Sequence, residues 1–363
     1  MNDFIVCATR SMHDYASRVI ACLSKYLSFS KMAEQINGVS LLNTDRFADG
    51  EIEVTVSSSI RGKDVVLFSS SARNEAGVSV DEAKIELYHA VDALKRSQAN
   101  KIIVFEPYIS SSRSDRTTRR SSVGLWVHLK TLTSLGASHI VTFQLHSDKS
   151  KTMLDPVFCN IDDIPALTLL KQYLCDVYIK TTENLEQEVK NCWAFCSVDA
   201  GGEKLARVFA NSFGAPLVVA HKQRDYSKPN TVESINILSA EPLEGKSLWI
   251  VDDMIDTASS VEKLIRTLAA LKPKDINIIA THALFSEPAF EKLQTLSREG
   301  LLNHMIVTDT ICCSETLRQI PGLEIVSSSE LAGKIIKTII NNESMSKLLR
   351  PFNARVYLEG KPE

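Results

Sequence analysis

Two apolar patterns alternate along the chain. Short runs such as Phe4-Ile5-Val6-Cys7, Val65-Val66-Leu67-Phe68, Ile102-Ile103-Val104-Phe105 and Ile276-Asn277-Ile278-Ile279-Ala280 have the look of strands covered on both faces. Between such runs apolar residues recur at helical spacing. One set runs through Ile20 and Leu23, and others are Leu87, Ala90, Val91 and Leu94, then Leu125, Leu129 and Leu132. Leu205, Val208 and Phe209 continue the series, as do Leu331, Ile335, Ile336 and Ile339. Strand and helix taking turns predict an α/β protein with a mostly parallel sheet. One stretch departs from this rhythm. After the turn signal Asp49-Gly50, Ile52, Val54 and Val56 alternate with Glu53, Thr55 and Ser57, which predicts a hairpin with one wet face.

The most informative stretch is Leu248-Trp249-Ile250-Val251-Asp252-Asp253-Met254-Ile255-Asp256-Thr257-Ala258-Ser259-Ser260. Four apolar residues give a buried strand, two acids follow, and a turn of small hydroxylated residues comes next. From Val261 the period becomes helical, through Leu264, Ile265 and Leu268. Acids at the carboxyl end of a strand stand at the edge where open α/β sheets bind ligands. A helix N-terminus beside them favours an anion such as phosphate. Together they suit a sugar phosphate, with the acids accepting from hydroxyls and the turn holding the phosphate. The plainer reading is a capping box, Ser259 with Glu262.

Other stretches repeat the theme. Trp193 to Val198 reads as a strand ending in Asp199-Ala200-Gly201-Gly202-Glu203-Lys204, small residues that let backbone approach a phosphate. The strand Pro216 to Ala220 leads into a polar run, His221 to Asn230, expected to be an exposed, mobile loop. Residues Ser110 to Ser122 read as a loop carrying Arg113, Arg116, Arg119 and Arg120, offset only by Asp115. The strand Ile140 to Phe143 leads to Gln144-Leu145-His146.

Composition narrows the class. The 363 residues are 44% hydrophobic and 23% charged, with a net charge of −3, and give no electrostatic case for nucleic acid or a membrane as partner. No apolar run approaches a membrane span. The start lacks a basic region and a long apolar core, so no secretory signal is expected. The eight cysteines are scattered, which points to a reducing, cytoplasmic setting without disulfides or a zinc site.

Taken in order, these motifs resemble those of the ribose-phosphate pyrophosphokinase family, from about Phe4 to Leu349. The central turn is similar to that family's phosphoribosyl-diphosphate motif, shared with type I phosphoribosyltransferases. Ser259 and Ser260 stand where the family has Gly and Thr. Other departures are Ser114 for Gln, Gln144 for Asp, Val127 for Lys and Val198 for Pro. The resemblance implies two phosphoribosyltransferase-type α/β domains with the active site between them. They would span residues 1–163 and 164–349, the last helix able to pack on the first domain, with a tail at 350–363. It implies diphosphoryl transfer from ATP to the anomeric hydroxyl of ribose 5-phosphate. Lys222 and Arg224 are the implied catalytic cations. Phe47, Asp49, Glu51, Arg113, Asp115 and His146 are the implied ATP contacts. Asp252, Asp253, Asp256, Thr257, Ala258, Ser259 and Ser260 are the implied ribose 5-phosphate site, and Asp199, Ala200, Gly201 and Gly202 the pyrophosphate loop. Mg2+ is the implied cofactor, served by His146 and Asp199. A homo-oligomer built from dimers, up to a hexamer, is the implied assembly. Leu154 to Phe158 with Ile161 to Pro165 resembles the crossover between domains. Two alternatives stay open: a non-catalytic subunit of the same family, and a phosphoribosyltransferase.

Overall fold

A computed structural model describes residues 4–26, 38–74, 76–117, 120–224 and 232–360, excluding the side chains of 222–224, 232 and 233. The chain divides into two units. The first comprises Met1–Pro165, Thr310–Cys312 and Ser327–Arg350; the second comprises Ala166–Asp309, Cys313–Val326 and Pro351–Glu363.

The first unit runs β1 (Phe4–Ala8), α1 (His13–Leu23), the hairpin β2 (Leu42–Arg46) and β3 (Ile52–Val56), then β4 (Asp64–Phe68) and α2 (Val80–Arg96). It continues with β5 (Lys101–Glu106), α3 (Gly124–Leu135), β6 (His139–Phe143) and β7 (Asn160–Ile164). Its sheet has the order β1-β4-β5-β6-β7, all parallel. Val65 and Leu67 of β4 enter one core with Leu87, Ala90, Val91 and Leu94 of α2 and Leu125, Leu129 and Leu132 of α3. Each such side chain stabilises the unit by roughly 1.5–3 kcal/mol when fully buried. At the start of α2, Ser79 Oγ accepts from the Glu82 N–H at 3.2 Å. Asp81 and Glu82 lie in its first turn and Lys95 and Arg96 in its last, as the helix dipole favours. The hairpin is present, with Ile52 and Val54 buried and Glu53 and Thr55 exposed.

Residues 160–164, taken above as part of a crossover, are instead the edge strand of this sheet. Ile164 is buried there. Asp162 meets His139 Nε2 at 2.9 Å, and Asp163 accepts from the Leu145 N–H at 2.9 Å. Acids are tolerated because an edge strand has a neighbour on one side only.

The second unit runs α4 (Leu167–Leu174), β8 (Trp193–Ser197), α5 (Glu203–Phe213), β9 (Leu217–Arg224) and β10 (Val232–Ser239). It goes on with β11 (Ser247–Ile255), α6 (Ser259–Ala269), β12 (Asp275–Ala283), α7 (Ala289–Arg298), β13 (Met305–Thr308) and β14 (Leu323–Val326). The strand order is β10-β9-β8-β11-β12-β13-β14, and only β10 is antiparallel to its neighbour. Strand β11 is central. Leu248 and Ile250 enter a core with Leu264, Ile265 and Leu268 of α6 and Leu293 of α7. Trp249 and Val251 enter a different core with Leu170 of α4 and Phe209 and Phe213 of α5. Alternate residues thus serve opposite layers, which is why this strand is apolar without a break.

Two sequence boundaries move. Strand β11 continues to Ile255, so Asp252 and Asp253 lie among its last residues rather than at its very end, and the turn begins later. His221 to Arg224, expected as loop, extend β9 and pair with β10, with His221 opposite Asn236 and Lys222 opposite Ile235. Polar residues fit there because an antiparallel ribbon can face water. The rest of that expected loop, residues 225–230, lies outside the described residues, as does Arg119.

After β14 the chain re-enters the first unit as α8 (Ser329–Ile340). Tyr15 Oη of α1 lies 2.7 Å from Ser328 Oγ. A Cβ at Gly333 would lie 3.5 Å from Cys22 Cβ, so the two helices meet closely. The expected tail is not a free tail. It carries α9 (Ala354–Glu359), whose Ala354 and Leu358 are buried in the core that holds Phe209 and Phe213. Among the described residues no helix is long and apolar enough to cross a membrane.

One core position is costly. Lys171 lies on the face of α4 with Leu167, Leu170 and Leu174 and is 3% exposed. Its ammonium stands 4.9 Å from the centroid of the Phe209 ring. Burial pushes its pKa down to about 8. A lysine depressed on folding holds fewer protons in the native state, so stability rises with pH between about 8 and the unfolded value. Lys171→Leu should therefore stabilise the protein by about 2–3 kcal/mol at pH 7, with the gain shrinking as pH rises from about 8 towards the unfolded value. Thermal unfolding across that pH range checks it.

Candidate active site

At the end of β11, Asp253 is 6% exposed and Asp252 is partly buried. Asp252 Oδ1 accepts from the Asp253 N–H at 2.9 Å. Burial first, and then the charge of Asp253, push the Asp252 carboxyl well above the usual carboxylate range, and Asp199 adds to the shift. The chain then turns through Asp256 and Thr257 to Ala258, which has φ +56°. This left-handed residue, not Ser259, reverses the chain into α6. The capping box is not made: no side chain caps this helix, and Glu262 turns to Lys292 at 3.3 Å and Arg266 at 3.6 Å. Ser259, as the first helical residue, does not need glycine's conformational freedom. The N–H groups of this first turn have no partner within the helix. Thr257 Oγ1 lies 3.2 Å from Ser259 Oγ, and Ser260 is partly exposed beside them.

A second turn of the same type follows β8. Asp199 Oδ1 accepts from the N–H groups of Gly201 at 2.9 Å and Gly202 at 3.1 Å. A Cβ at Gly201 would come within 3.2 Å of that same oxygen. Ala200 is exposed at the tip, and α5 begins directly after Gly202. Two amides suited to an anion are thus held by the loop's own carboxylate. Lys222 and Arg224 stand on β9, opposite Ile235 and Val232 of β10, and their side chains lie outside the described residues.

In the first unit, Phe47 is 51% exposed at the hairpin tip. The turn closes through Phe47 N–H to Glu51 O at 2.8 Å and Glu51 N–H to Asp49 Oδ1 at 3.1 Å. Arg46 ties the hairpin to α2 by an ion pair with Glu82. Glu82 also meets Arg10 at 3.1 Å, and a cleft of about 520 Å³ lies between Arg46, Glu51, Glu82 and His89. In the loop after β5, Arg113 and Arg116 are exposed and Asp115 is half-buried. Ser114 staples that loop to α3, its Oγ accepting from the Gly124 N–H at 3.0 Å.

His146 is exposed beyond β6. Gln144 had implied one carboxylate fewer beside it. Near that loop, Asp163 of β7 is bonded to the N–H of residue 145 and paired with Lys151 at 3.3 Å. Burial raises the Asp163 pKa despite both partners. Sequence reading passed over Asp163 because it sat inside a presumed crossover. It also passed over Lys292, since nothing in the sequence links that residue to a turn 33 positions away.

A parallel sheet with acids at one strand end, a left-handed turn and a helix start without a side-chain cap defines an α/β protein of the phosphoribosyltransferase type. Residues 176–295 match the description "Phosphoribosyl transferase domain", and residues 5–136 match "N-terminal domain of ribose phosphate pyrophosphokinase". A ribose-phosphate pyrophosphokinase of Fusobacterium nucleatum is 31% identical over 304 residues, 84% of this chain and 88% of its own length. That of Mycoplasma pneumoniae is 30% identical over 348 residues, 96% of this chain and 95% of its own. The crystal structure of phosphoribosylpyrophosphate synthetase from Mycobacterium smegmatis superposes with a TM-score of 0.76 at 25% identity, covering 94% of this chain and 99% of that one. The chain belongs to the ribose-phosphate pyrophosphokinase family, a family of ATP-dependent transferases.

The Asp252–Asp253 pair makes a testable statement about the unliganded protein. A carboxyl raised on folding binds its proton more tightly in the native state, so its stabilising effect is lost as pH rises through that window. Asp252→Asn should raise stability at pH 8, with the gain shrinking towards pH 4. A thermal shift that is the same at both pH values would show that repulsion is not the cause.

Proposed function

We propose that this chain transfers the β,γ-diphosphoryl group of ATP to the anomeric hydroxyl of ribose 5-phosphate, giving 5-phosphoribosyl 1-diphosphate and AMP. One observation carries the reading. The carboxylates at the end of β11, the left-handed Ala258 and the start of α6 stand in a chain that aligns nearly end to end with ribose-phosphate pyrophosphokinases. Asp252 and Asp253 accept from the ribose hydroxyls. Asp256, Thr257, Ala258, Ser259 and Ser260 form the seat of the 5-phosphate, which takes the free amides of α6. Ala200, Gly201 and Gly202 receive the diphosphoryl group. Phe47, Asp49, Glu51, Arg113 and Asp115 hold the nucleotide, the aromatic face of Phe47 suiting a base. Lys222 and Arg224 neutralise charge that develops on the transferring phosphoryl group.

Asp199 and His146, which belong to different units, are the residues read as serving a magnesium ion; among the described residues no group of three His, Cys, Asp or Glu side chains gathers to hold one. Asp199 would supply the oxygen ligand that this cation prefers. When bound, the ion would neutralise phosphate charge. The protein is read as a cytoplasmic homo-oligomer. Its eight cysteines, free of disulfides, fit a reducing compartment.

Release of AMP from ATP and ribose 5-phosphate tests the reading. Consumption of phosphoribosyl diphosphate with a nucleobase instead would identify a phosphoribosyltransferase. Neither activity would identify a non-catalytic subunit. Lys222→Ala should lower kcat by about 100-fold or more while KM for ribose 5-phosphate moves less than about 3-fold, because the cation acts on the transition state. Unchanged turnover would remove Lys222 from the catalytic set. The double variant Asp252→Asn with Asp253→Asn should lose ribose 5-phosphate binding in calorimetry while keeping its fold, since amides present donors where hydroxyls need acceptors.

A further inference from the structure

Lys292 reaches from the first turn of α7 to the first turn of α6. Its ammonium donates to Ser259 Oγ at 2.7 Å and lies 3.3 Å from Glu262 Oε2. Its side chain is 26% exposed. An ammonium has three donors and no acceptor, so Ser259 must accept this bond. Ser259 Oγ also lies 3.2 Å from Thr257 Oγ1. If Ser259 donates to Thr257, the Thr257 hydrogen is released. If Thr257 donates to Ser259, the Ser259 hydrogen is released. What the lysine itself fixes is that the Ser259 hydrogen turns away from it, towards Thr257 or towards a ligand. The positive charge also lies beside Ser259, the first residue of α6.

We propose that Lys292 is a positioning residue for the phosphate of ribose 5-phosphate, acting through Ser259. This rests on the sugar-phosphate reading of the turn. As a mere clamp between helices, the Lys292–Glu262 pair would be a partly exposed ion pair of small worth. As a positioning residue it holds the Ser259 oxygen as its acceptor and places a cation beside the cradle.

The test is calorimetry of ribose 5-phosphate, with magnesium present and no turnover required. It is run on the parent, Lys292→Ala, Lys292→Arg, Ser259→Gly and the double variant Lys292→Ala with Ser259→Gly. Lys292→Ala should weaken binding about 10-fold, Lys292→Arg should stay within about 3-fold of the parent, and KM for magnesium–ATP should hold. In the Ser259→Gly background, Lys292→Ala should cost less than about 3-fold, since the residue it acts through is gone. Equal losses in both backgrounds would overturn the coupling. So would a loss in Lys292→Ala matched by a lower melting temperature and weaker ATP affinity. A parent that binds ribose 5-phosphate, beside a Lys292→Ala variant that binds it equally, would remove the role of Lys292 alone. A parent that does not bind it would remove the functional reading and this role with it.

Discussion

Strand β11 can carry two adjacent carboxylates because both of its faces are already covered. Leu248 and Ile250 fill one layer and Trp249 and Val251 the other. That burial holds the backbone in place while Asp252 and Asp253 oppose each other at its end. Raising the Asp252 pKa is the energetic trace of this conflict: like charges in a poorly hydrated place favour a proton over ionisation. Hydroxyl donors brought to this strand end would favour the ionised carboxylates. The sheet, the helices α4 to α7 and the turn at Ala258 all serve to keep that pair where a ligand can reach it.

Much of this was legible in the sequence. Unbroken apolar runs marked strands that are indeed sandwiched, and the helical stripes of α2, α3 and α6 match their buried faces. The hairpin followed from Asp49-Gly50, with Gly50 at φ +96°. What the pattern missed was long-range. A polar run such as His221 to Arg224 looks like loop until β10 supplies a partner. An acidic strand such as β7 looks like linker until the sheet edge is known. Local rules also misplaced the helix start: Ser259 and Glu262 fit a capping box by spacing, but the backbone reverses one residue earlier and Lys292 takes up Glu262.

Side chains that differ from the family pattern were put to other uses. Ser114 no longer offers an amide to a nucleotide and instead fastens its loop to α3. Beside Gln144, Asp163 of β7 takes the Leu145 N–H. Ser259 gives Lys292 a hydroxyl to hold.

The loop after β8 stores its own competitor. Asp199 occupies the amides of Gly201 and Gly202, so an incoming anion must first evict a carboxylate of the same charge. Filling the loop is thus an exchange rather than a simple addition. A cation that draws Asp199 away would vacate those amides, and an anion that claims them would release Asp199 to a cation. Reciprocity then requires each visitor to raise the affinity for the other by the same factor, so that the loop takes up a cation and an anion more readily together than either alone.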